Sequence, residues 1–396
     1  MYSRRRWSQW PGPSCAAAIA LVLGAAIPLA TGSATRAEEP PPFILGTVLP
    51  DTGALDSYGP ATQQAVRLAV EDARDAGADV ELVSGDSGDG VGTVRATIRR
   101  LRDQGVTAVV GPMSSRLLLD TLGEFGDLAV VSPATASPLL TGRIARTAPS
   151  DALQGAALAK LAAQSRVVRL AIVAPRGDQA LAAAAIAEAA YRGMETRLIT
   201  FGARTSASKI AAQVSAAAAD GVLLASSTET TSIVRELLRR GLPATVVMTA
   251  SAGAGVDARS LPRQALRGAR VLGPDLRVPL PLRERLAGVR KFDYAAQAYD
   301  AAAVAILAAR QVVASGVEPI SPAIRAAIPA VTTGGTACRL AECLRLIGQG
   351  RDIDYQGFSG DVDLGPEGDP VVATFVVRTL GADNAPTGPL TYVRVP

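Results

Sequence analysis

Two short loops place hydroxyl groups where a small polar ligand could bind. An apolar run at 106–110 leads into Gly-Pro-Met-Ser-Ser at 111–115, and a run at 128–131 leads into a loop at 132–138 that is rich in serine and threonine. In open α/β sheets, ligands bind outside the carboxyl ends of the strands. Hydroxyls and free backbone N–H groups at a helix start suit a carboxylate or another anion. The same residues would also serve as ordinary helix caps, and their spacing does not separate the two interpretations.

Catalytic chemistry finds little support in the sequence. The chain contains no histidine, which excludes Ser-His-Asp and Cys-His devices. The segment 357–360 reads Gly-Phe-Ser-Gly and is one residue too short for a nucleophile elbow. The glycines within 85–92 precede Thr93, which stands where a dinucleotide-binding loop needs its last glycine, so a flexible loop is the better interpretation. Asp86 and Asp89 lack the further carboxylates of a calcium loop. We therefore expect a protein that is not an enzyme and holds no cofactor or metal.

The two loops belong to a repeating pattern of apolar strands and amphipathic helices. The first unit is predicted to contain strands at 43–49, 80–83, 106–110 and 128–132 and helices at 61–76, 93–102 and 116–125. A second, similar unit is predicted to contain strands at 167–173, 196–201, 222–225 and 244–248 and helices at 152–163, 180–191, 207–219 and 232–240. Such alternation indicates parallel sheets covered on both faces. The predicted fold class is α/β, with two Rossmann-like parallel-sheet lobes.

The last third of the chain does not read as a separate domain. A long alanine-rich helix at 294–314, and a single strand at 371–378 after a turn-rich hairpin at 357–370, must return to complete the earlier sheets. The chain therefore crosses between the lobes several times, which predicts a multi-crossing hinge and a cleft. The predicted division is a signal peptide at 1–37, lobe 1 at 43–147, lobe 2 at 148–272, a return to lobe 1 at 273–355, and a crossover with the C-terminal strand of lobe 2 at 356–396.

The first residues are typical of a secretory signal peptide. Three arginines at 4–6 precede an uncharged apolar run at 15–30, which is shorter than a membrane-spanning helix needs. Small residues ending at Ala37 offer a cleavage site, which predicts export to the periplasm. The four arginines of this segment account for the whole formal net charge of +4, so the rest of the chain has no electrostatic bias toward nucleic acid.

Two cysteines remain once the signal peptide is removed, Cys338 and Cys343. An even number of cysteines in an oxidising compartment indicates a disulfide. Their close spacing requires a turn or a frayed helix between them. A zinc site is a poor alternative, because two thiols without any histidine do not complete one.

A series of individually loose motifs runs along most of the chain in one order, at 46–54, 58–60, 109–115, 131–133, 146–154, 299–301, 352–360 and 365–370. Together they resemble the periplasmic solute-binding proteins of the leucine/isoleucine/valine type, which are the type I, receptor-family ligand-binding proteins of ABC importers. The resemblance covers residues 43–380. It implies the type I periplasmic binding protein fold, with a cleft that closes on its ligand.

The same resemblance implies roles for particular residues. Ser115 matches the serine that binds the ligand carboxylate, and Ala134 matches a position that gives a backbone contact beside it. Tyr58 and Tyr294 match positions that flank the ligand's side chain. Two further residues line the same rim, Met113 and Ser114.

Several positions depart from the family pattern, and these departures bear on the identity of the substrate. Ala136 stands where the family usually has a threonine, and Thr135 lies one residue early. Arg176 stands where a tyrosine is usual, and Ser227 lies where amino-acid binders often carry an aromatic residue. No acid near Ser251 is available for a ligand ammonium, whose burial without a partner would be costly. These departures favour an anionic or neutral-polar ligand with Arg176 as its partner; the other interpretation makes Arg176 a solvated rim residue.

The sequence thus predicts the extracytoplasmic solute-binding component of an ABC importer. Its expected partners are a small-molecule solute, which is an amino acid or a related small carboxylate or amide, and the membrane permease of the importer. We expect a monomer that does not bind nucleic acid. Two alternatives of the same fold stay open: a ligand sensor that is not coupled to transport, and a degenerate binder that has lost its pocket.

Overall fold

Two large β-sheets organise the part of the chain that the computed structural model describes, residues 42–226, 228–241 and 245–396. The predicted signal peptide and Ser227 lie outside these residues. The strands are β1 Phe43–Thr47, β2 Val80–Val83, β3 Ala108–Val110, β4 Ala129–Ser132, β5 Ala145–Arg146, β6 Arg169–Pro175, β7 Glu195–Phe201, β8 Gly221–Leu224, β9 Thr245–Thr249, β10 Arg270–Pro274, β11 Thr336–Cys338, β12 Ile353–Tyr355, β13 Ala373–Leu380 and β14 Pro386–Val395.

Helices cover these sheets. They are α1 Gly59–Asp75, α2 Val91–Asp103, α3 Ser115–Phe125, α4 Asp151–Gln164, α5 Gln179–Tyr191, α6 Ala207–Ala216, α7 Thr230–Arg240, α8 Ala250–Ala254, α9 Leu280–Arg283, α10 Ala295–Ala314, α11 Ser321–Ala327 and α12 Leu340–Gly348. Among the described residues, no helix combines the length and the apolar character that a membrane crossing would require.

The first sheet is parallel throughout, in the order β2-β1-β3-β4-β5. Successive residues of β3 point to opposite faces, as in any strand. Val110 packs into the core beneath α1 and α10, whereas Val109 packs into the core beneath α2 and α3. The strand reads as a continuous apolar run because both of its faces are buried. All the strands of this sheet therefore end at one edge, where the two hydroxyl-bearing loops begin.

The second sheet has the order β14-β13-β10-β9-β8-β6-β7. Strands β6 to β10 are parallel, while β13 and β14 run antiparallel at one edge. The prediction of a single final strand was wrong, since β14 pairs with β13. Most of β14 is exposed and its first residues are Pro-Thr-Gly-Pro, so it lacks the apolar alternation that identifies a strand. In place of the predicted hairpin at 357–370, only the bridges Gln356–Asp361 and Leu364–Pro370 form.

Three segments of chain pass between the two sheets. The first joins β5 to α4, the second follows β10, and the third joins β12 to β13. The helices α10 and α11, which follow the second passage, pack on strands of the first sheet. The predicted α/β fold, with parallel-sheet lobes joined by several crossings, is confirmed. Segments joining two sheets in this way are the usual form of a hinge.

The two remaining cysteines are bonded in the structure. Cys338 ends β11 and Cys343 lies in the first turn of α12, with their Cα atoms 5.3 Å apart. Both side chains are buried. Arg339 lies between the end of β11 and the start of α12 and has an extended backbone. The change from strand to helix at this residue allows a bridge across so few residues.

Candidate functional site

The loop after β3 ends in two serines with different partners. Gly111 begins this loop with φ of +105°, and a Cβ atom there would lie 2.2 Å from the carbonyl oxygen of Val48, so only glycine fits. Ser114 is the N-cap of α3, and its Oγ accepts a hydrogen bond from Leu117 N at 3.2 Å. The Ser115 Oγ instead accepts from the backbone N–H groups of Ala136 and Ser137, at 3.1 and 3.3 Å. Ser114 is therefore an ordinary cap, whereas Ser115 joins the two loops.

Ser115 still has hydrogen-bonding capacity to offer a ligand. Its hydroxyl accepts two hydrogen bonds and therefore keeps its proton for donation. The backbone N–H groups of Ser115 and Arg116, in the first turn of α3, have no acceptor among the described residues. Three donors thus converge at the start of a helix, where the dipole also favours negative charge. This arrangement suits a carboxylate.

The loop after β4 is fixed mainly through Ser132. This buried hydroxyl donates to the carbonyl of Pro112 at 2.7 Å and accepts from Thr135 N at 3.2 Å. The Thr135 side chain is fully buried, and its Oγ1 has no hydrogen-bond partner among the described residues, so it does not face solvent in this conformation. Ala134 is partly buried and packs against the core of the first sheet. The carbonyl of Ala136 accepts from Asp151 N at 2.9 Å, which ties this loop to the start of α4.

A buried arginine supports the same loop from beneath. Arg146 is fully buried, and its Nη1 donates to the carbonyls of Ser137 at 2.9 Å and Thr135 at 3.3 Å. Its Nε donates to Asp369 Oδ1 at 2.6 Å. A buried cation requires such a partner, since an unpaired charge inside a protein is very costly. The loop after β4 is therefore held by the third passage as well as by Ser115.

Two tyrosines form the aromatic part of the rim. The rings of Tyr58 and Tyr294 lie edge to face with their centroids 5.9 Å apart. Burial, followed by the nearby Tyr58 and Asp293, raises the pKa of Tyr294 to about 12, so its hydroxyl stays protonated at neutral pH. Met113 is buried in the same core cluster, against which both rings pack. The two tyrosines thus lie together, and the loops that lead to Tyr58 and Met113 leave the neighbouring strands β1 and β3 at the carboxyl edge of the first sheet.

The second lobe contributes two acids that the sequence analysis did not single out as ligand residues. Asp151 begins α4 and Asp178 precedes α5. Burial, then the neighbouring Asp178, raises the pKa of Asp151 to about 6, while Arg146 acts in the opposite direction. Burial also raises the pKa of Asp178. Since Asp151 N is bonded to the loop after β4, these carboxyls lie beside the candidate carboxylate site.

The other predicted residues of the second lobe receive less support. Arg176 is exposed, its backbone N–H donates to Phe201 O at 2.9 Å, and its guanidinium forms no ion pair within the described residues. This placement fits the interpretation of Arg176 as a solvated rim residue. Ser227 lies outside the described residues.

A cavity of about 290 Å³ lies among the three passages. Its lining includes two arginine–aspartate pairs, Arg277 with Asp275 at 2.6 Å and Arg394 with Asp361 at 2.8 Å. Gln297 of α10 joins two of the passages there. Its side-chain Nε2 donates to the backbone oxygen of Asp275, and its backbone carbonyl accepts from Thr147 Oγ1. None of the predicted ligand residues lines this cavity. It is a feature of the hinge.

Three functional features had no signal that sequence reasoning could use alone. Arg146 and Asp369 are far apart in sequence, and nothing in their spacing shows that they pair. Asp151 stands at a helix start, where an acid is common because it favours the helix dipole, so nothing in the sequence marks it as a ligand residue. Lys291, whose ammonium lies on the ring of Tyr58, is far from Tyr58 in sequence, and no motif links the two residues.

The folded chain is an α/β protein with two sheets, three passages between them, and a set of hydrogen-bond donors at the carboxyl edge of one sheet. That combination defines the class of two-lobed binding proteins. The sequence profile of the periplasmic binding protein family matches residues 42–333. The chain belongs to this family.

Several solved structures have a similar fold. An ABC transporter substrate-binding protein from Desulfitobacterium hafniense, in complex with Leu, has a TM-score of 0.61 at 20% identity, over 89% of this chain and 99% of that one. A leucine-binding protein from Thermotoga maritima has a TM-score of 0.60 at 18% identity, over 88% and 97%. A solute-binding protein from R. palustris, in complex with benzoate, has a TM-score of 0.57 at 15% identity, over 89% and 97%. No curated protein matches the chain by sequence.

Proposed function

We propose that this protein is the solute-binding component of an ABC importer. It is exported to the periplasm, binds an amino acid or a related small carboxylate or amide between its lobes, and presents it as a monomer to a membrane permease. The protein acts by binding and not by catalysis. Membership of the periplasmic binding protein family and the three passages between the sheets support this proposal.

The observation that carries the proposal is the donor set around Ser115. The hydroxyl proton of Ser115 and the backbone N–H groups of Ser115 and Arg116, which have no acceptor among the described residues, all lie at the start of α3. Hydrogen bonds from fixed donors to a charged acceptor are stronger than neutral ones. A carboxylate placed there would be bound without new reorganisation of the loop, because Arg146 and Ser132 already hold its neighbour in place.

The solved relatives of similar fold support a carboxylate ligand but leave its remaining chemistry open. Two of them are complexes with Leu or with benzoate, which share a carboxylate and differ in the ammonium group. In this chain Asp151 and Asp178 offer carboxyl groups on the second lobe, where an ammonium could be paired. We therefore keep both amino acids and simple carboxylates within the proposal.

A thermal-shift screen of the exported chain tests the proposal. The screen covers amino acids, short carboxylates and amides. A true ligand should raise the melting temperature, because it adds RT ln(1 + [L]/Kd) to the free energy of unfolding. We expect Ser115→Ala to weaken binding of the best carboxylate about tenfold or more, which corresponds to about 1.4 kcal/mol. The shift relative to each variant's own unliganded melting temperature is compared, because the substitution also removes an acceptor for two backbone N–H groups.

Ser208→Ala is the matched control, since Ser208 is exposed on α6. It should bind the ligand like the natural protein. If Ser115→Ala and Ser208→Ala gave equal affinities, the carboxylate site would be misplaced. If no compound in the screen shifted the natural protein, the solute-binding proposal itself would fail.

A further inference from the structure

A lysine occupies the aromatic rim of the candidate site. The Nζ of Lys291 lies 3.3 Å from the ring centroid of Tyr58, and it donates a hydrogen bond to Ser57 Oγ at 3.2 Å. An ammonium over an aromatic face is attracted by the negative face of the ring. The ammonium is therefore held at one place, although its side chain is only partly buried.

The segment that carries Lys291 is held against Tyr58 by an unusual backbone conformation. Tyr294, three residues further on, has φ of +65° and is the N-cap residue that precedes α10. A bulky residue rarely adopts this left-handed conformation, which costs energy and persists only where the surroundings impose it. Here it directs the ring of Tyr294 onto that of Tyr58. Lys291 and both tyrosines thus form one packed cluster, which is called the wall below.

The ammonium of Lys291 retains unused hydrogen-bonding capacity. An ammonium has three donors, and one of them is used by Ser57. Asp293 lies two residues after Lys291 and Asp56 precedes Ser57, but no carboxylate of the described residues is within 4.0 Å of the Lys291 Nζ, the limit for an ion pair. At this wall the ammonium of Lys291, with donors not used by Ser57, covers a face of the Tyr58 ring that would otherwise be apolar.

We propose that Lys291 binds a second acidic group of the solute, so that the preferred ligands of this protein carry two anionic groups, as dicarboxylates and acidic amino acids do. This inference rests on the proposed function, since it takes the first carboxylate to be bound at Ser115. Solutes with a cationic or an apolar group at this position should bind less tightly than those with an acidic group. A cationic side chain would be repelled by Lys291, and an apolar one would leave its ammonium without an anion.

Isosteric probe pairs test the proposal. Succinate is compared with succinamate, and glutarate with glutaramate, because each pair differs only in a carboxylate replaced by an uncharged amide. Affinities for the exported chain are measured by titration calorimetry at low salt, where an ion pair at a partly exposed site is least screened. We expect at least one dicarboxylate to bind about tenfold more tightly than its half-amide, as for a charged hydrogen bond.

Variants of Lys291 show whether this residue causes the preference. Lys291→Met should abolish the preference for the dicarboxylate, and Lys291→Arg, which keeps the charge, should retain part of that preference. Lys209→Met, on α6, is the matched control and should leave the preference intact. The preference is compared within each variant, so a change in fold stability does not affect the result.

The outcomes separate this proposal from the proposed function. Equal binding of a dicarboxylate and its half-amide, or a preference that survives in Lys291→Met, would overturn the role of Lys291. Monocarboxylates or neutral amino acids that bind through Ser115 would still support solute binding in that case. If no probe bound but the screen of monocarboxylates succeeded, the second acidic group would be refuted and the importer proposal would stand.

Discussion

Buried charged residues in this protein fix the backbone near the site. Asp300, which is fully buried in α10, accepts hydrogen bonds from Tyr355, from the backbone of Phe358 and from both the backbone and the hydroxyl of Ser359. Arg146 plays the corresponding part beneath the loop after β4. Several motifs that suggested the family thus anchor the passages between the sheets.

Asp151 should make the stability of the protein depend on pH. Burial raises its pKa to about 6 from the ordinary value of 3.8, so the folded chain takes up this proton before the unfolded chain does. Burial of the charged carboxylate therefore lowers the free energy of unfolding above pH 6, and this loss disappears as the pH falls toward 4. We expect Asp151→Asn to raise the free energy of unfolding by about 1 to 3 kcal/mol at pH 7.5, measured by urea unfolding.

The gain from Asp151→Asn should shrink to near zero at pH 4, where the natural side chain is itself largely neutral. Asp79→Asn is the control, because Asp79 is exposed and its carboxylate forms no ion pair within the described residues. A stabilisation by Asp151→Asn that is the same at both pH values would show that the charge of Asp151 is not its cause.

At the residue level, the sequence allowed prediction of the local part of the site. Ser114 and Ser115 follow an apolar strand directly, so their place at the carboxyl edge could be predicted from the chain order. The pairing of Arg146 with Asp369 could not be predicted, because it depends on how the third passage returns across the molecule. The position of Lys291 depends on the left-handed conformation of Tyr294, which has no sequence signal outside glycine and asparagine.

At the level of elements, the two helices that carry the acids of the second lobe pack closely. A Cβ atom added to Gly155 of α4 would lie 2.1 Å from the carbonyl oxygen of Leu181 in α5. Gly155 is one turn beyond Asp151, and Leu181 is one turn beyond Asp178. The close approach of α4 and α5 therefore sets the distance between the two carboxyl groups.

Gly155→Ala should separate these helices. The new methyl group meets backbone, which cannot move aside like a flexible side chain, and we expect a loss of about 1 to 3 kcal/mol in the free energy of unfolding. Urea unfolding measures the loss. The separation should also lower the pKa of Asp151 toward its ordinary value, because Asp178 would lie further away.

Gly123→Ala provides the matched control for this prediction. Gly123 is also within a helix, α3, but a Cβ atom there would meet nothing within 4 Å. Alanine favours a helix over glycine, so this variant should gain about 0.5 to 1 kcal/mol. Equal effects of the two substitutions would mean that helix preference, and not the contact with Leu181, decides the cost at Gly155.

The elements themselves were predictable where burial is uniform. Strand β3 is buried on both faces and stands out as an unbroken apolar run, and α10 is recognisable from its length and its alanines. Strand β14 was missed because it is an edge strand whose side chains mostly face solvent. Prediction from the sequence thus succeeded for the centre of each sheet and failed at one edge.

At the level of the whole molecule, the three passages are connected to one another. Arg146, at the start of the first passage, pairs with Asp369 in the third, and Gln297 of α10 bonds to Thr147 in the first and Asp275 in the second. A rotation of one sheet against the other therefore involves all three passages together. Such a hinge favours two discrete arrangements, and a ligand that contacts both lobes would stabilise the closed one.

Closure of the lobes on a ligand is the last prediction. The compound that gives the largest thermal shift should reduce the radius of gyration of the protein, measured by small-angle X-ray scattering at saturating concentration, because only a closed form lets both lobes contact one small solute. Ser115→Ala at the same concentration should keep the larger radius, since it lacks the contact that holds the carboxylate. A saturated protein whose radius equals that of the unliganded one would show that the passages do not act as a hinge for this solute.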